Sequence, residues 1–217
     1  MPEYRQYAAS PAGSEHYALL SYFSHLLDTS HCSYLDIGTR FATSALTLAS
    51  SGHPVITFDL PESKELSYVY HSMKMNPQQW LQEITQLHCN LTVRNENLLL
   101  IPSQEFDALR HAPLMLLDTY HRPYTKPFER EFLTRLVQGK FNGLLLLDDI
   151  AENDEMKRWW REIVCSKYHS FRIYDLTVVG HATGTGLLDF SHRVQIVGKD
   201  VDKTIVRSDD PKYQCGE

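Results

Sequence analysis

Three apolar, strand-like segments of the sequence end in carboxylates: Asp59, Asp118, and the adjacent pair Asp148 and Asp149. In an open α/β sheet, the carboxyl ends of the parallel strands border one crevice, so we expect these side chains to converge. Carboxylates in one cleft repel each other unless a cation neutralises them, and oxygen ligands favour Mg²⁺ or Ca²⁺ over zinc. The pattern predicts a metal site of Asp118, Asp148 and Asp149. The alternative is that they are ordinary acids of exposed loops.

A second pattern, over residues 34–47, is typical of a buried strand, a glycine turn and the start of a helix. Asp36 precedes Gly38 by two residues, and Asp59 ends the next strand-like segment. A glycine at this turn lets the backbone approach a ligand, and an acid after the second strand can bind both hydroxyls of a ribose. Together these residues predict a ligand that carries adenosine.

Two histidines are candidates for proton transfer. His121 follows Asp118 by three residues, where an imidazole can take a proton near neutral pH. His181 stands in a glycine-rich segment, 180–186, and is a second candidate for the same cleft. For His121 the alternative is an ordinary surface histidine. For His181 it is that the glycines only serve turn geometry.

The elements that position these residues are predicted from hydrophobic periodicity. Helices are expected from Ser14, over 42–51, over 126–138 and from Asn153; strands are expected over 33–37, 55–59, about 90–95, 114–118, 143–147, 171–177 and 187–197. The uninterrupted apolar runs fit parallel strands covered on both faces. Only a glycine-rich turn separates the last two strands, so the chain is expected to close with a β-hairpin.

Composition restricts the classes of function. With 217 residues, 42% of them hydrophobic and 22% charged, the chain suits a single domain over 1–217, in which 1–30 form an N-terminal arm and helix. A net charge of -6 without a basic run argues against nucleic acid as a partner. The sequence has no membrane-length apolar run and no signal-peptide pattern. The four cysteines form no CxxC pair and are expected to be reduced thiols of a cytoplasmic protein.

With these motifs in view, the chain resembles class I S-adenosylmethionine-dependent methyltransferases over nearly its whole length. Within them it is most similar to metal-dependent O-methyltransferases typified by catechol O-methyltransferase, and to small bacterial and viral methyltransferase-like proteins. The resemblance is carried by the segments Glu15-His16-Tyr17, Asp36-Ile37-Gly38-Thr39, Leu147-Asp148-Asp149-Ile150 and Gly180-His181 with Gly184-Thr185-Gly186. It implies a Rossmann-like α/β fold, a mostly parallel seven-stranded sheet with a C-terminal antiparallel hairpin.

The resemblance also implies roles for individual residues. The residues that match cofactor-binding positions are Asp36, Gly38, Thr39, Ser44, Asp59, Asn97 and Asp118. The family's Leu-Asp-x-x-Lys segment, with a metal-binding acid and a basic lysine, is matched by 117–121, so His121 stands at the position of the base. The family's Asp-Asn metal pair is matched by Asp148-Asp149. The sequence departs from the family at Ala42, which replaces the second glycine of the first motif, and at His121 itself.

The implied activity is methyl transfer from S-adenosylmethionine to a small hydroxylated acceptor. A divalent ion, Mg²⁺ or another hard ion, would lower the pKa of the acceptor hydroxyl while His121 removes its proton. Two alternatives stay open. One is a divergent, non-enzymatic protein that binds the cofactor, and the other is a metal-dependent hydroxylase or hydrolase on the same fold. No membrane partner is expected, and the oligomeric state is undetermined, with a homodimer as one alternative.

Overall fold

The computed structural model describes residues 11–27, 32–40, 42–60, 77–119, 126–166, 170–195 and 215. The helices in these ranges are α1 (Pro11–Leu26), α2 (Thr43–Ala49), α3 (Pro77–Leu87), α4 (Ser103–Leu109), α5 (Lys126–Gln138) and α6 (Asp154–Cys165). The strands are β1 (Tyr34–Ile37), β2 (Val55–Asp59), β3 (Leu91–Asn95), β4 (Leu114–Leu117), β5 (Leu144–Asp148), β6 (Arg172–Asp175) and β7 (Thr185–Asp189). None of these helices has both the length and the apolar character required to cross a membrane.

The seven strands form one sheet in the order β3-β2-β1-β4-β5-β7-β6. Neighbouring strands from β3 to β5 pair in parallel, whereas β7 runs antiparallel to both β5 and β6. The predicted fold class, a mostly parallel seven-stranded sheet with a C-terminal antiparallel hairpin, is therefore confirmed. The register places Asp148 opposite Thr185, which brings the loop before β7 beside the end of β5.

Helices cover both faces of the sheet. The four leucines of β5 alternate: Leu145 and Leu147 pack in a core with side chains of α4, α5 and α6, whereas Leu144 and Leu146 pack in a core with side chains of α1, α2 and α3. This is why the strand has an unbroken apolar run, as expected for a parallel strand that is buried on both faces.

The structure differs most from the sequence-based expectation at the start of α1, at one unpredicted helix and at β7. Helix α1 begins at Pro11, before Ser14, at a position where the fixed φ of proline is tolerated. Helix α4 was not predicted, because it is short and Phe106 is its one fully buried residue. Strand β7 spans Thr185–Asp189, so residues 190–195 of the predicted strand 187–197 are not part of it, and 196–197 lie outside the described residues. The buried carboxylate of Asp189 accepts hydrogen bonds from Ser191 Oγ at 2.6 Å and Val194 N at 3.0 Å, which turns the chain away from the sheet.

The expectation of four reduced thiols was wrong. Cys165, at the end of α6, forms a disulfide bond with Cys215, which lies 50 positions later in the sequence. Cys215 packs against the core on the α4–α6 face of the sheet. Tertiary structure brings these two residues together, and their spacing carries no local signal. The other cysteines, Cys32 and Cys89, are exposed free thiols.

Candidate functional site

The carboxyl ends of β1, β2, β4 and β5 form one edge of the sheet, and most of the candidate residues lie along it. Strand β1 pairs with β2 on one side and with β4 on the other, so the strand order reverses between β1 and β4. Ligands of open α/β sheets bind beside such a switch point. At one side of it lies the β1–α2 turn (residues 38–40 and 42), and at the other lies the β6–β7 loop (residues 176–184).

Gly38 is the first residue of the β1–α2 turn and has a φ of +117°. A Cβ atom on Gly38 would lie 1.8 Å from the carbonyl oxygen of Asp118. The Asp118 N–H donates to Ile37 O at 2.9 Å, and Gly38 N donates to Phe58 O at 2.9 Å. The glycine is therefore required by the packing of the strand ends.

Asp36 lies beneath this turn and is fully buried. Thr57 Oγ1 donates to Asp36 Oδ2 at 2.6 Å, and the hydroxyls of Thr57 and Thr39 lie 2.8 Å apart. Among the described residues, Asp36 Oδ1 has no hydrogen-bond partner. Burial raises the pKa of Asp36 to about 7, although hydrogen bonds from Thr57 and Ser44 oppose the shift. Asp36 and the buried Ser44 thus stabilise the turn from its buried side.

Ala42 adopts the left-handed conformation that a glycine usually provides, with φ 56° and ψ 23°. Its methyl group is buried in the core on the α1–α3 face, and its N–H donates to Thr39 O at 2.5 Å. Arg40 in the same turn also has a positive φ, of 41°. The turn therefore keeps a left-handed backbone with alanine, and not glycine, at position 42.

Asp59 lies at the end of β2, next to the turn. Its Oδ2 accepts from Arg40 N at 3.1 Å, and its Oδ1 accepts from Leu60 N at 2.8 Å. Partial burial raises the pKa of Asp59, and these two backbone bonds lower it. An ionised carboxylate has about four lone-pair sites, so both oxygens can accept further bonds, as two ribose hydroxyls would require.

Asn97 follows β3 on the same side of the switch point. Its Oδ1 accepts from Leu99 N at 2.9 Å, a local bond that fixes the orientation of the side chain. The side chain is partly exposed. Its adenine-contacting role stays a prediction.

On the other side of the switch point, Asp148, Asp149 and His181 form a cluster. His181 Nδ1 lies 3.0 Å from Asp149 Oδ1 and 3.6 Å from Asp148 Oδ1. One potential ligand atom from each residue lies within 4.8 Å of the other two. The pKa of His181 is raised, chiefly by its hydrogen bond with Asp149 and further by the charges of nearby carboxylates. The imidazole thus faces the same edge as the acids, as one of the two sequence interpretations proposed.

The β6–β7 loop is fixed against the loop that follows β5. Ala151 N donates to Thr183 O at 2.7 Å, and Ile150 N donates to Gly184 O at 3.2 Å. Gly184 has a φ of +99°, and a Cβ there would lie 2.7 Å from Ile150 Cγ1. The second sequence interpretation, that the glycines serve turn geometry, therefore also holds at this residue.

The charge of Asp118 acts on residues of both groups. Its charge raises the pKa of Asp36 and Asp59 on one side and of His181 on the other. It is partly exposed, and it is not in the three-residue cluster whose ligand atoms lie within 4.8 Å of one another. His181 takes the third position in that cluster. The sequence signal for it was the glycine-rich segment next to an imidazole.

The residue after Asp118 forms a hydrogen bond with a buried side chain whose burial the sequence did not predict. Thr119 Oγ1 donates to Glu129 Oε1 at 2.5 Å, and Glu129 is fully buried in the first turn of α5. A glutamate in an amphipathic helix gives no signal that it will be buried. The predicted base, His121, lies outside the described residues.

Comparison with known proteins supports the fold assignment. No protein-family model matches the sequence, and no curated protein matches it. Among solved structures, the chain is similar to a candidate caffeoyl-CoA O-methyltransferase from Staphylococcus aureus, with 14% identity, 79% of this chain and 82% of that chain covered, and a TM-score of 0.50. It is also similar to a candidate O-methyltransferase from Klebsiella pneumoniae, with 16% identity, coverage of 83% and 80%, and a TM-score of 0.50.

A third similar structure is the bifunctional kinase-methyltransferase WbdD, at 16% identity and a TM-score of 0.54. This match covers 90% of the present chain but 43% of WbdD. Likeness at such identities establishes architecture. The chain therefore has the Rossmann-like fold of class I methyltransferases.

Proposed function

We propose that this protein transfers a methyl group from S-adenosylmethionine to a hydroxyl group of a small acceptor. The observation that carries the proposal is the arrangement of one sheet edge in a methyltransferase fold. Asp59 lies beside the β1–α2 turn on one side of the switch point, and Asp148, Asp149 and His181 cluster on the other. Such an edge offers one region suited to an adenosine and another suited to a polar acceptor.

The donor is proposed to bind at the β1–α2 turn. Bound S-adenosylmethionine supplies an electrophilic methyl group on a sulfonium sulfur. Asp59 is proposed to accept from the ribose hydroxyls, because two backbone N–H groups already hold its oxygens in place. Asp36 and Ser44 support the turn from its buried side, and Gly38 and Arg40 are its more exposed residues. Asn97 is proposed to contact the adenine.

The acceptor is proposed to bind near the cluster of Asp148, Asp149 and His181. The carboxylates of the cluster are oxygen donors that fit a divalent ion. Such an ion, when bound, would lower the pKa of an acceptor hydroxyl that it coordinates. Asp118 contributes a further negative charge at this edge, in keeping with its predicted role as a ligand. In this proposal, positioning an acceptor here aligns its oxygen with the donor, which is itself a large source of rate acceleration.

His121 is proposed to remove the proton of the acceptor hydroxyl, because it follows Asp118 by three residues in the sequence. The body of the acceptor is proposed to contact the β6–β7 loop. Val178 and Val179 of that loop are 66% and 54% exposed, and they offer an apolar surface close to His181 in the chain.

Calorimetric titration with S-adenosylhomocysteine tests the central part of the proposal. Saturable binding with one site per chain is expected, whereas a metal-dependent hydrolase or hydroxylase without methyl transfer would show none. Methyl transfer from S-adenosylmethionine is then measured with a panel of small hydroxylated acceptors, with excess chelator and after a divalent ion, Mg²⁺ or Co²⁺, is restored. Binding without turnover on any acceptor would favour the non-enzymatic alternative. Full turnover in excess chelator would remove the metal from the mechanism.

A further inference from the structure

The most informative group outside the sequence-predicted ligand set is the imidazole of His181. It comes from the β6–β7 loop, whereas Asp148 and Asp149 come from the end of β5. The three side chains are 19%, 7% and 18% exposed, respectively, so the cluster is largely enclosed but open to solvent on one side. Solvent access allows an ion to enter, and partial burial strengthens its interaction with the carboxylates.

We propose that His181 is a nitrogen ligand of the divalent ion at this edge, and that the site therefore prefers a transition-metal ion to Mg²⁺. The inference rests on the proposed function, because it concerns the metal of the same site. It replaces an all-oxygen ligand set by one imidazole and two carboxylates. The same edge would otherwise be expected to take a hard ion, as the carboxylates alone suggest.

The distances fit ligands of a common ion. Two atoms that each lie about 2.1 Å from one ion, at an angle of 90–110°, are separated by about 3.0–3.4 Å. The separations of His181 Nδ1 from the two carboxylate oxygens, 3.0 Å and 3.6 Å, lie at or close to this range. The cluster can therefore accommodate an ion with small side-chain movements.

The chemistry of the donor set gives the preference among ions. Imidazole nitrogen is a good ligand for Zn²⁺, Cu²⁺, Fe²⁺ and Ni²⁺, whereas Mg²⁺ is bound mainly by oxygen and retains several waters. Affinity for a mixed nitrogen and oxygen site rises along the series from Mn²⁺ to Cu²⁺. A single nitrogen ligand therefore shifts selectivity without a change in the carboxylates.

The β6–β7 loop fixes the backbone of His181 before any ion binds. His181 N donates to Thr185 Oγ1 at 2.9 Å, and Gly184 N donates to His181 O at 2.9 Å. Thr183 Oγ1 contacts both Asp149 Oδ1 and, at 2.6 Å, His181 Nδ1. Both contacts are made to the atoms that would bind the ion, so an entering ion must displace the hydroxyl and the proton on Nδ1. A preorganised ligand loses little freedom on binding.

The test is a pair of metal titrations on the full chain, with Co²⁺ and with Mg²⁺. Wild-type protein is expected to bind Co²⁺ at least about tenfold more tightly than Mg²⁺. His181→Ala should lower the Co²⁺ affinity by at least about tenfold, because loss of even an outer partner of a metal ligand typically costs about 10–100-fold, and it should change the Mg²⁺ affinity much less. His111→Ala is the matched control, because His111 is exposed beyond the end of α4 and should change neither affinity.

A spectroscopic measurement keeps the proposal testable if His181→Ala does not fold. Pulsed electron paramagnetic resonance of bound Mn²⁺ should show coupling to a directly bound imidazole nitrogen in the wild type. The coupling should disappear in His181→Gln, a variant that keeps much of the side-chain volume. Equal wild-type affinity for Co²⁺ and Mg²⁺, unchanged Co²⁺ affinity in His181→Ala, or absence of nitrogen coupling would each overturn the assignment.

Titration with S-adenosylhomocysteine on the same samples separates the two proposals. Binding of S-adenosylhomocysteine without any dependence of metal affinity on His181 would refute the nitrogen ligand alone. Co²⁺ binding that depends on His181, without S-adenosylhomocysteine binding, would refute the proposed methyl transfer and leave the metal site intact.

Discussion

The carbonyl oxygen of Asp118 occupies the space in which a side chain on Gly38 would begin. A Cβ on Gly38 would lie 1.8 Å from that oxygen and 2.7 Å from the Asp118 carbonyl carbon. The proposed donor-binding turn and the end of β4 at Asp118 are therefore packed against each other through their backbones. A change on either side is expected to displace the other.

Gly38→Ala tests this relationship, with Gly52→Ala as its control. Gly52 also has a positive φ, of +85°, but a Cβ there would meet nothing within 4 Å. Gly52→Ala should therefore lower the free energy of unfolding by about 1–2 kcal/mol, because alanine is strained in this backbone conformation. Gly38→Ala adds a clash between backbones and should lower it by more than about 3 kcal/mol. Urea unfolding measures both, and equal losses would contradict the packing argument.

The buried Asp36 should make stability depend on pH. Its folded-state pKa is raised from 3.8 to about 7, so the unfolded chain releases this proton first as the pH rises. The protein should then lose stability between about pH 4 and pH 7, by on the order of 4 kcal/mol from this group. Below pH 4 both states are protonated, and the penalty is absent.

Asp36→Asn isolates this contribution. The amide oxygen can still accept from Thr57, but it carries no charge at any pH. We expect the stability of the variant relative to wild type to rise as the pH increases from 4 to 7, and to stay constant above that range. A difference between the two proteins that does not vary with pH, in urea unfolding at each pH, would contradict the raised pKa.

The Cys165–Cys215 disulfide should contribute to stability. In the chain-entropy model, a disulfide that closes a loop of 50 residues raises the free energy of the unfolded chain by about 4 kcal/mol. Cys165→Ala should therefore lower the free energy of unfolding by up to about that amount, and dithiothreitol should have the same effect on wild type. Cys32→Ala, at an exposed free thiol, is the control. If Cys165→Ala and wild type unfold alike under oxidising conditions, the disulfide does not stabilise the fold.

His121 is expected to act on turnover and not on donor binding. Loss of a general base typically lowers the rate by about 10²–10⁴, so His121→Ala should reduce kcat by that range while S-adenosylhomocysteine affinity stays close to wild type. The wild-type rate should rise with pH through a group near about 6–7. Near-wild-type turnover in His121→Ala, on a confirmed acceptor, would assign the proton to another group or to the metal.

Much of the fold could be read from the sequence because its signals are local. The alternation of β5 leucines between two cores requires an unbroken apolar run, and Asn153 Oδ1 caps α6 by accepting from Met156 N. The disulfide joins residues 50 positions apart, and the burial of Glu129 follows from tertiary packing, so no local spacing predicts either of them. At the site, the acids at strand ends were readable, since parallel strands end at one edge. Whether His181 faces them depends on a register set by β7.

The affinity of Asp59→Ala for S-adenosylhomocysteine tests the central claim most directly. Loss of charge-assisted hydrogen bonds to a ribose should weaken binding by roughly 2–3 kcal/mol. Because Asp59 also holds the N–H groups of Arg40 and Leu60, Asp59→Asn is measured beside it, and Asp107→Ala, on exposed α4, is the control. The proposal predicts weaker calorimetric binding in both Asp59 variants, with unfolding transitions that stay cooperative. Unchanged affinity in Asp59→Ala would contradict a ribose at this carboxylate, and with it the proposed donor site.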